Sequence, residues 1–146
     1  MKSHLREWVH GVANVKFEDY SFEIIKGMKK DVIAVLEECA GELESQAKMN
    51  TRVDTGKTKN DWAHEVDERT YTAYIGNTNE NAIWEEFGTG EHALKNNGRK
   101  GGWWYQDARG EWHHTYGKKP SRAFFKAYNS LKNPIQDRIR RRLKGI

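Results

Sequence analysis

Glu85-Glu86-Phe87-Gly88-Thr89-Gly90 closes a short apolar segment, Ala82, Ile83 and Trp84, with two glycines around one threonine. Glycine reaches positive φ without a Cβ clash, so the spacing predicts a sharp bend or a close backbone approach. Phe87 is expected to be buried, and Gly88 or Gly90 to have positive φ. Residues 82–87 read as a short helix or a bent strand, which six residues of pattern do not separate. Beyond them, residues 89–102 hold His92, Lys95, Arg99 and Lys100 among asparagines and glycines, the composition of a flexible loop.

Upstream of this corner, residues 58–68 and 70–76 alternate apolar and polar positions. Trp62, His64 and Val66, then Tyr71, Ala73 and Ile75, recur with period two, which predicts two antiparallel strands. Before them Val53-Asp54-Thr55-Gly56 reads as a turn, since Asp and Thr side chains bond following amides and Gly tolerates the left-handed region. From about Ser21 the period is helical: Ile24, Met28, Val32, Val35, Leu36, Cys39, Leu43 and Ala47 return at three- and four-residue steps. That helix, ending near residues 49–51, would be roughly 40 Å long at about 1.5 Å per residue. Residues 1–20 show no clear period and read as an arm or a strand.

Downstream, residues 103–106 and 111–115 flank Asp107-Ala108-Arg109-Gly110, a hairpin expected to add two strands to the sheet. After Pro120, Ser121 is the expected N-cap of a second helix opened by Phe124, Phe125, Ala127, Tyr128 and Leu131. Pro134 should break or kink it, and Ile135, Ile139 and Leu143 continue its apolar side. The fold class expected is α+β: a long N-terminal helix and a C-terminal helix packed on a small antiparallel β-sheet, one domain over residues 21–146 with its loop at about 89–102.

The chain of 146 residues suits one core, and its 36% apolar and 32% charged content makes that core economical. Six tryptophans, six tyrosines and five phenylalanines are many for so polar a chain, and such rings collect in cores and protein contacts. The formal charge of +4 falls short of a dedicated nucleic-acid binder. No apolar run is long enough to span a membrane, and the first residues lack a leader's apolar stretch. The single Cys39 offers no internal disulfide, as expected of a reducing cytoplasm.

No arrangement of residues reads as an active site. His113 and His114 are adjacent on a predicted strand and point to opposite faces, and the other histidines lack ligand spacing, so no metal is expected. Glu85 and Glu86 likewise diverge, which opposes an acid–base pair. Cys39 falls on the apolar stripe as an ordinary core residue. No Gly-Lys-Ser/Thr follows Gly88-Thr89-Gly90, so it is no phosphate loop, and no cofactor is expected. Arg138, Arg141, Arg142 and Lys144 have two readings, a solvated helix end that suits the macrodipole or a face for DNA phosphates.

The order of these signals resembles one family. An amphipathic helix, Asp54-Thr55-Gly56, a strand pair, Glu86-Phe87-Gly88-Thr89, a Trp103-Trp104-Tyr105 hairpin, and Lys119-Pro120 followed by Phe124 is similar to the tail-component or tail-completion family of long-tailed bacteriophages and prophages. The chain departs from the family pattern after Gly56, where Thr58 stands in the place of a leucine and Asp61 near that of a serine. The resemblance implies a non-enzymatic virion protein, made in the host cytoplasm, that completes the tail and joins it to the head connector. It implies a hexameric ring whose partners are its own copies, the connector or stopper protein, and the tail tube or terminator protein. Charge alone adds a basic loop or tail that could face passing DNA, and no membrane partner is expected.

Ring contacts favour exposed aromatics and loops that order on assembly. The expected interface is therefore Gly88, Thr89, Gly90, His92, Lys95, Arg99, Lys100, Trp103 and Trp104, with Asp54, Thr55, Gly56, Glu86, Phe87, Pro120 and Phe124 as structural residues. The rival expectation is a nucleic-acid-binding module using the basic loop and the C-terminal Arg/Lys cluster.

Overall fold

The apolar stripe through residues 32–47 is the buried face of the first helix. This helix, α1, runs Lys29–Asn50 and buries Val32, Val35, Leu36, Cys39, Ala40, Leu43 and Ala47. The computed structural model describes residues 29–53 and 56–144. The expected arm at 1–20, the helical start at 21–28, and Asp54 and Thr55 lie outside the described residues. After α1 come a short α2 (Lys57–Asn60), β1 (Trp62–Asp67), β2 (Thr72–Asn77), α3 (Asn81–Phe87), a 3-10 turn at Gly90–His92, β3 (Trp103–Gln106), β4 (Trp112–Thr115) and α4 (Ala123–Lys144). The fold is α+β, with long helices at both ends.

β1 and β2 are antiparallel, with His64 opposite Ile75 and Val66 opposite Ala73. Residues 57–60, expected to open the first strand, form α2 instead, so β1 begins only at Trp62. The pair lays Trp62 and Ile75 into a core shared with α1 and with Phe124, Ala127, Ile135 and Ile139 of α4. Trp62 stacks on Phe124 with ring centroids 5.9 Å apart, and its indole N–H donates to Thr51 Oγ1 at 2.8 Å. Aromatic burial and a satisfied indole together fix β1 against both helices.

α1 and α4 lie antiparallel, since Arg138 reaches Glu42 and Arg142 reaches Glu38. At the other end of the pair, Asn50 Nδ2 donates to the Ala123 carbonyl at 3.1 Å. Burial pushes the Cys39 thiol above its usual range, so this side chain is a core residue of low reactivity.

One sequence expectation is corrected here and one is narrowed. The Trp-rich hairpin does not extend the first sheet: β3 and β4 pair only with each other, Trp104 opposite His114 and Gln106 opposite Trp112. β1–β2 has apolar residues for a core face, whereas β3–β4 has large rings that stay exposed. Pro134 does not break α4, which runs through it to Lys144. Pro134 and Ser130 are both exposed, so water can serve the carbonyl that loses its donor, while Leu131 and Ile135 hold the flanking turns in the core.

Candidate functional site

The corner at residues 85–90 is built by a long-range exchange of hydrogen bonds with residues 116–125. Glu86 lies in the last turn of α3, and its two carboxylate oxygens accept the amide N–H groups of Phe124 and Phe125, each at 3.0 Å. These are the second and third amides of α4, which have no partner within the helix, and a carboxylate there also suits the macrodipole. The cap expected from Ser121 is thus supplied by Glu86. Ser121 instead donates its N–H, at 2.7 Å, and its hydroxyl, at 3.1 Å, to the Glu85 carbonyl.

Thr89 donates its N–H to the Lys118 carbonyl at 2.9 Å, and its hydroxyl oxygen accepts the Lys118 N–H at 2.8 Å. Gly88 has φ +74, and a Cβ there would stand 2.8 Å from both the His92 carbonyl and Pro120 Cδ. Gly90 has φ +59, and a Cβ would meet the Tyr116 carbonyl at 2.3 Å. Both glycines fulfil the sequence expectation, for both reasons at once.

Phe87 corrects it. Its side chain is 43% exposed, with the Lys95 ammonium 5.6 Å from the ring centroid. α3 has no fully buried residue, so it is anchored through Glu86 and backbone bonds rather than through an apolar plug.

An open cleft of about 780 Å³ lies beside the corner. Of the residues expected at an interface, Gly88, Thr89, Gly90, Arg99 and Trp103 line it, together with Arg52, Trp84, Glu85 and Lys118. Glu85 pairs with the Lys118 ammonium, and its second oxygen lies 3.6 Å from Arg52 Nη2. The Arg99 guanidinium sits 5.7 Å from the Trp103 ring centroid. His92 is half-buried below Gly88, Lys95 stands over Phe87, and Lys100 is exposed outside the cleft.

Trp104 is elsewhere, on the outer face of the hairpin. The register puts Trp104, Gln106, Trp112 and His114 on one side, and His114 packs edge-on against both Trp104 and Tyr116. Trp104 and Trp112 are 65% and 64% exposed and Tyr116 53%, so this face is an aromatic surface open to solvent. Period-two reading across the hairpin carried the signal for Trp112, whereas Arg52, Glu85 and Lys118 converge only through the fold.

Arg138 and Arg142 are engaged by Glu42 and Glu38 of α1, at 2.5 and 2.8 Å, and Glu42 holds the Arg138 guanidinium above its usual range. Arg141 and Lys144 are exposed. Among the described residues Asp107, Glu111 and His113 could converge on a cation, but Asp107 is occupied by the turn amides and by His113. No helix of the described residues is long and apolar enough to cross a membrane.

A family model for the tail component typified by bacteriophage HK97-gp10 matches residues 16–88. The match runs through α1, β1, β2 and α3 and ends at Gly88. No curated protein and no solved structure matches the chain.

Proposed function

Because this chain belongs to the HK97-gp10-like family of bacteriophage tail components, we propose that it is a structural subunit of the virion that forms a ring at the head-proximal end of the tail and joins it to the head connector. The observation that carries the reading is the aromatic face of the β3–β4 hairpin. Trp104 and Trp112 share one side of a two-stranded ribbon, Tyr116 packs on His114 of that side, and all three are more than half exposed. An isolated hairpin is marginal in water, and clustered exposed aromatics are a feature of surfaces that meet other proteins. A hexamer is the expected closure, with the connector and the tail tube or its terminator above and below. The role requires no catalysis.

Passing DNA would meet Arg141 and Lys144 within the same assembly. A free-standing nucleic-acid module is disfavoured, since Arg138 and Arg142 are spent on Glu42 and Glu38. Electron microscopy of a phage lacking this gene tests the proposal: complete heads and tails that fail to join are expected. Normally joined virions would refute it.

A further inference from the structure

We infer that the end of the subunit where α1 begins and α4 stops is a phosphate-contact surface for duplex DNA, built across three elements. This rests on the place proposed above beside passing DNA, and it names the surface that meets the duplex. An open groove of about 600 Å³ lies between the first turns of α1 and the β1–β2 turn. Lys29 and Lys30 line it from α1 and Arg69 from the turn, all three exposed. Leu143 packs beside Val32 and Leu36, so α4 ends at the same pole and adds Arg141 and Lys144, also exposed.

None of these five cations pairs with a carboxylate of the described residues. Their neighbours Arg138, Arg140 and Arg142 do, with Glu42, Asp137 and Glu38. Glu37 is turned to His64, which leaves Asp31 and Glu68 as the exposed carboxylates beside the cations. The pole therefore keeps a positive excess that the subunit does not neutralise itself. Phosphates that replace the small counterions of such a surface release them, and that release drives binding.

The chemistry of this pole differs from that of a protein contact. The large apolar side chains that stay exposed lie at the other end of α1, at the corner and on the hairpin, Met49, Trp84 and Trp104 among them. Protein interfaces gather such rings and deplete lysine, whereas DNA interfaces are strongly positive. Tyr71, the aromatic ring of the groove, packs onto the cluster of Val32, Leu36 and Val66. It is committed to the core and does not stand free as a platform for unstacked bases, which favours a duplex backbone over a single strand.

Arg69 is held in place before DNA arrives. Asp67 Oδ1 accepts its amide N–H at 2.9 Å, and two residues on Tyr71 has φ +51, a left-handed conformation that bulky residues seldom adopt. The packing of Tyr71 keeps the turn in that shape, so Arg69 stays across the groove from Lys29 and Lys30.

The test titrates the purified full chain into a short fluorescent duplex and reads anisotropy over a series of salt concentrations. Each phosphate contacted contributes about −0.9 to the slope of log affinity against log salt, so five cations give at most about −4.5. Lys30→Glu with Arg69→Glu is expected to weaken binding ten-fold or more and to make the slope shallower by about 2. Lys119→Glu with Lys126→Glu, exposed positions at the other pole, removes the same net charge and should leave affinity within about two-fold of wild type. Equal losses in the two variants would overturn the surface, because net charge alone would then explain binding. No wild-type binding at about 20 mM salt would overturn it as well and leave the tail-component reading standing. So would a Lys30→Glu, Arg69→Glu protein that binds DNA normally but is lost from purified tails, since the pole would then be a protein contact. Failure of the ring reading shows separately, as normally joined virions from phage lacking the gene.

Discussion

Glu86 Oε2 accepts the amide N–H of Phe124 at 3.0 Å across 38 positions of sequence. One carboxylate thereby joins the end of α3 to the start of α4, so the Glu-Phe-Gly-Thr corner and the Pro120–Phe124 element are two halves of one joint. The aromatic residue of that corner faces water while its acid is the anchor.

Glu86→Ala should cost about 2 kcal/mol, because it removes a charge-assisted cap from two amides at once. Glu86→Gln should cost less, since one carbonyl oxygen remains. Urea denaturation of the two variants checks this; equal stability of Glu86→Ala and wild type would dismiss the cap.

Gly88→Ala should be more damaging than Gly101→Ala. Both sites have positive φ, and Gly88, with ψ 173, lies in a region essentially confined to glycine, where a side chain costs on the order of 1–3 kcal/mol. Only at Gly88 does a Cβ also meet three atoms within 2.9 Å, whereas at Gly101 nothing lies within 4 Å. The expected difference is at least about 1 kcal/mol, from the added overpacking, read as a shift in melting temperature.

Trp104→Ala should leave the folding midpoint of the subunit nearly unchanged and weaken assembly by ten-fold or more. A ring standing 65% exposed contributes little to folding, yet such anchors dominate contact energies. Quantifying the variant's abundance in purified tails checks it, and wild-type abundance would remove Trp104 from the interface.

Stability should fall in acid through Glu44. Burial raises this carboxyl, but its bonds to Lys48, at 2.5 Å, and to His64 outweigh burial and hold it below its ordinary 4.5. A depressed carboxylate stabilises the fold above its unfolded value and loses that contribution as pH drops through the folded value. The loss should therefore begin near pH 4.5 and deepen below it, and Glu44→Gln should flatten the profile there. An unchanged acid limb in chemical denaturation would exclude Glu44 as its source.

The first helix was legible because its partners are local: Val32, Val35, Leu36, Cys39, Leu43 and Ala47 repeat at helical spacing, and all are buried. The glycines were legible as well, since positive φ and close approach leave few alternatives to Gly88 and Gly90. Glu86 stood among the expected structural residues, but its role as the cap of α4 was not legible, because its partners are amides rather than side chains and lie far along the chain. Hydrophobicity favoured its neighbour Phe87 as the anchor, yet a seven-residue helix on the surface has no core to reach. Whether Trp103 and Trp104 join the first sheet depends on which edges meet in space, and period-two alternation carries no information about that. The cleft shares this limit: Arg52, Glu85 and Lys118 come from three separate segments.

The antiparallel pairing of α1 and α4 gives the subunit two poles. Leu143 packs beside Val32 and Leu36, while Asn50 meets Ala123 next to the cleft. Helices of 22 residues separate these poles by roughly 30 Å. Imaging labels attached beside Lys29 or beside Lys144 would mark the same pole of the subunit, the one remote from the corner. A gold label coupled at that pole would thus orient the subunit in a virion without obstructing the cleft.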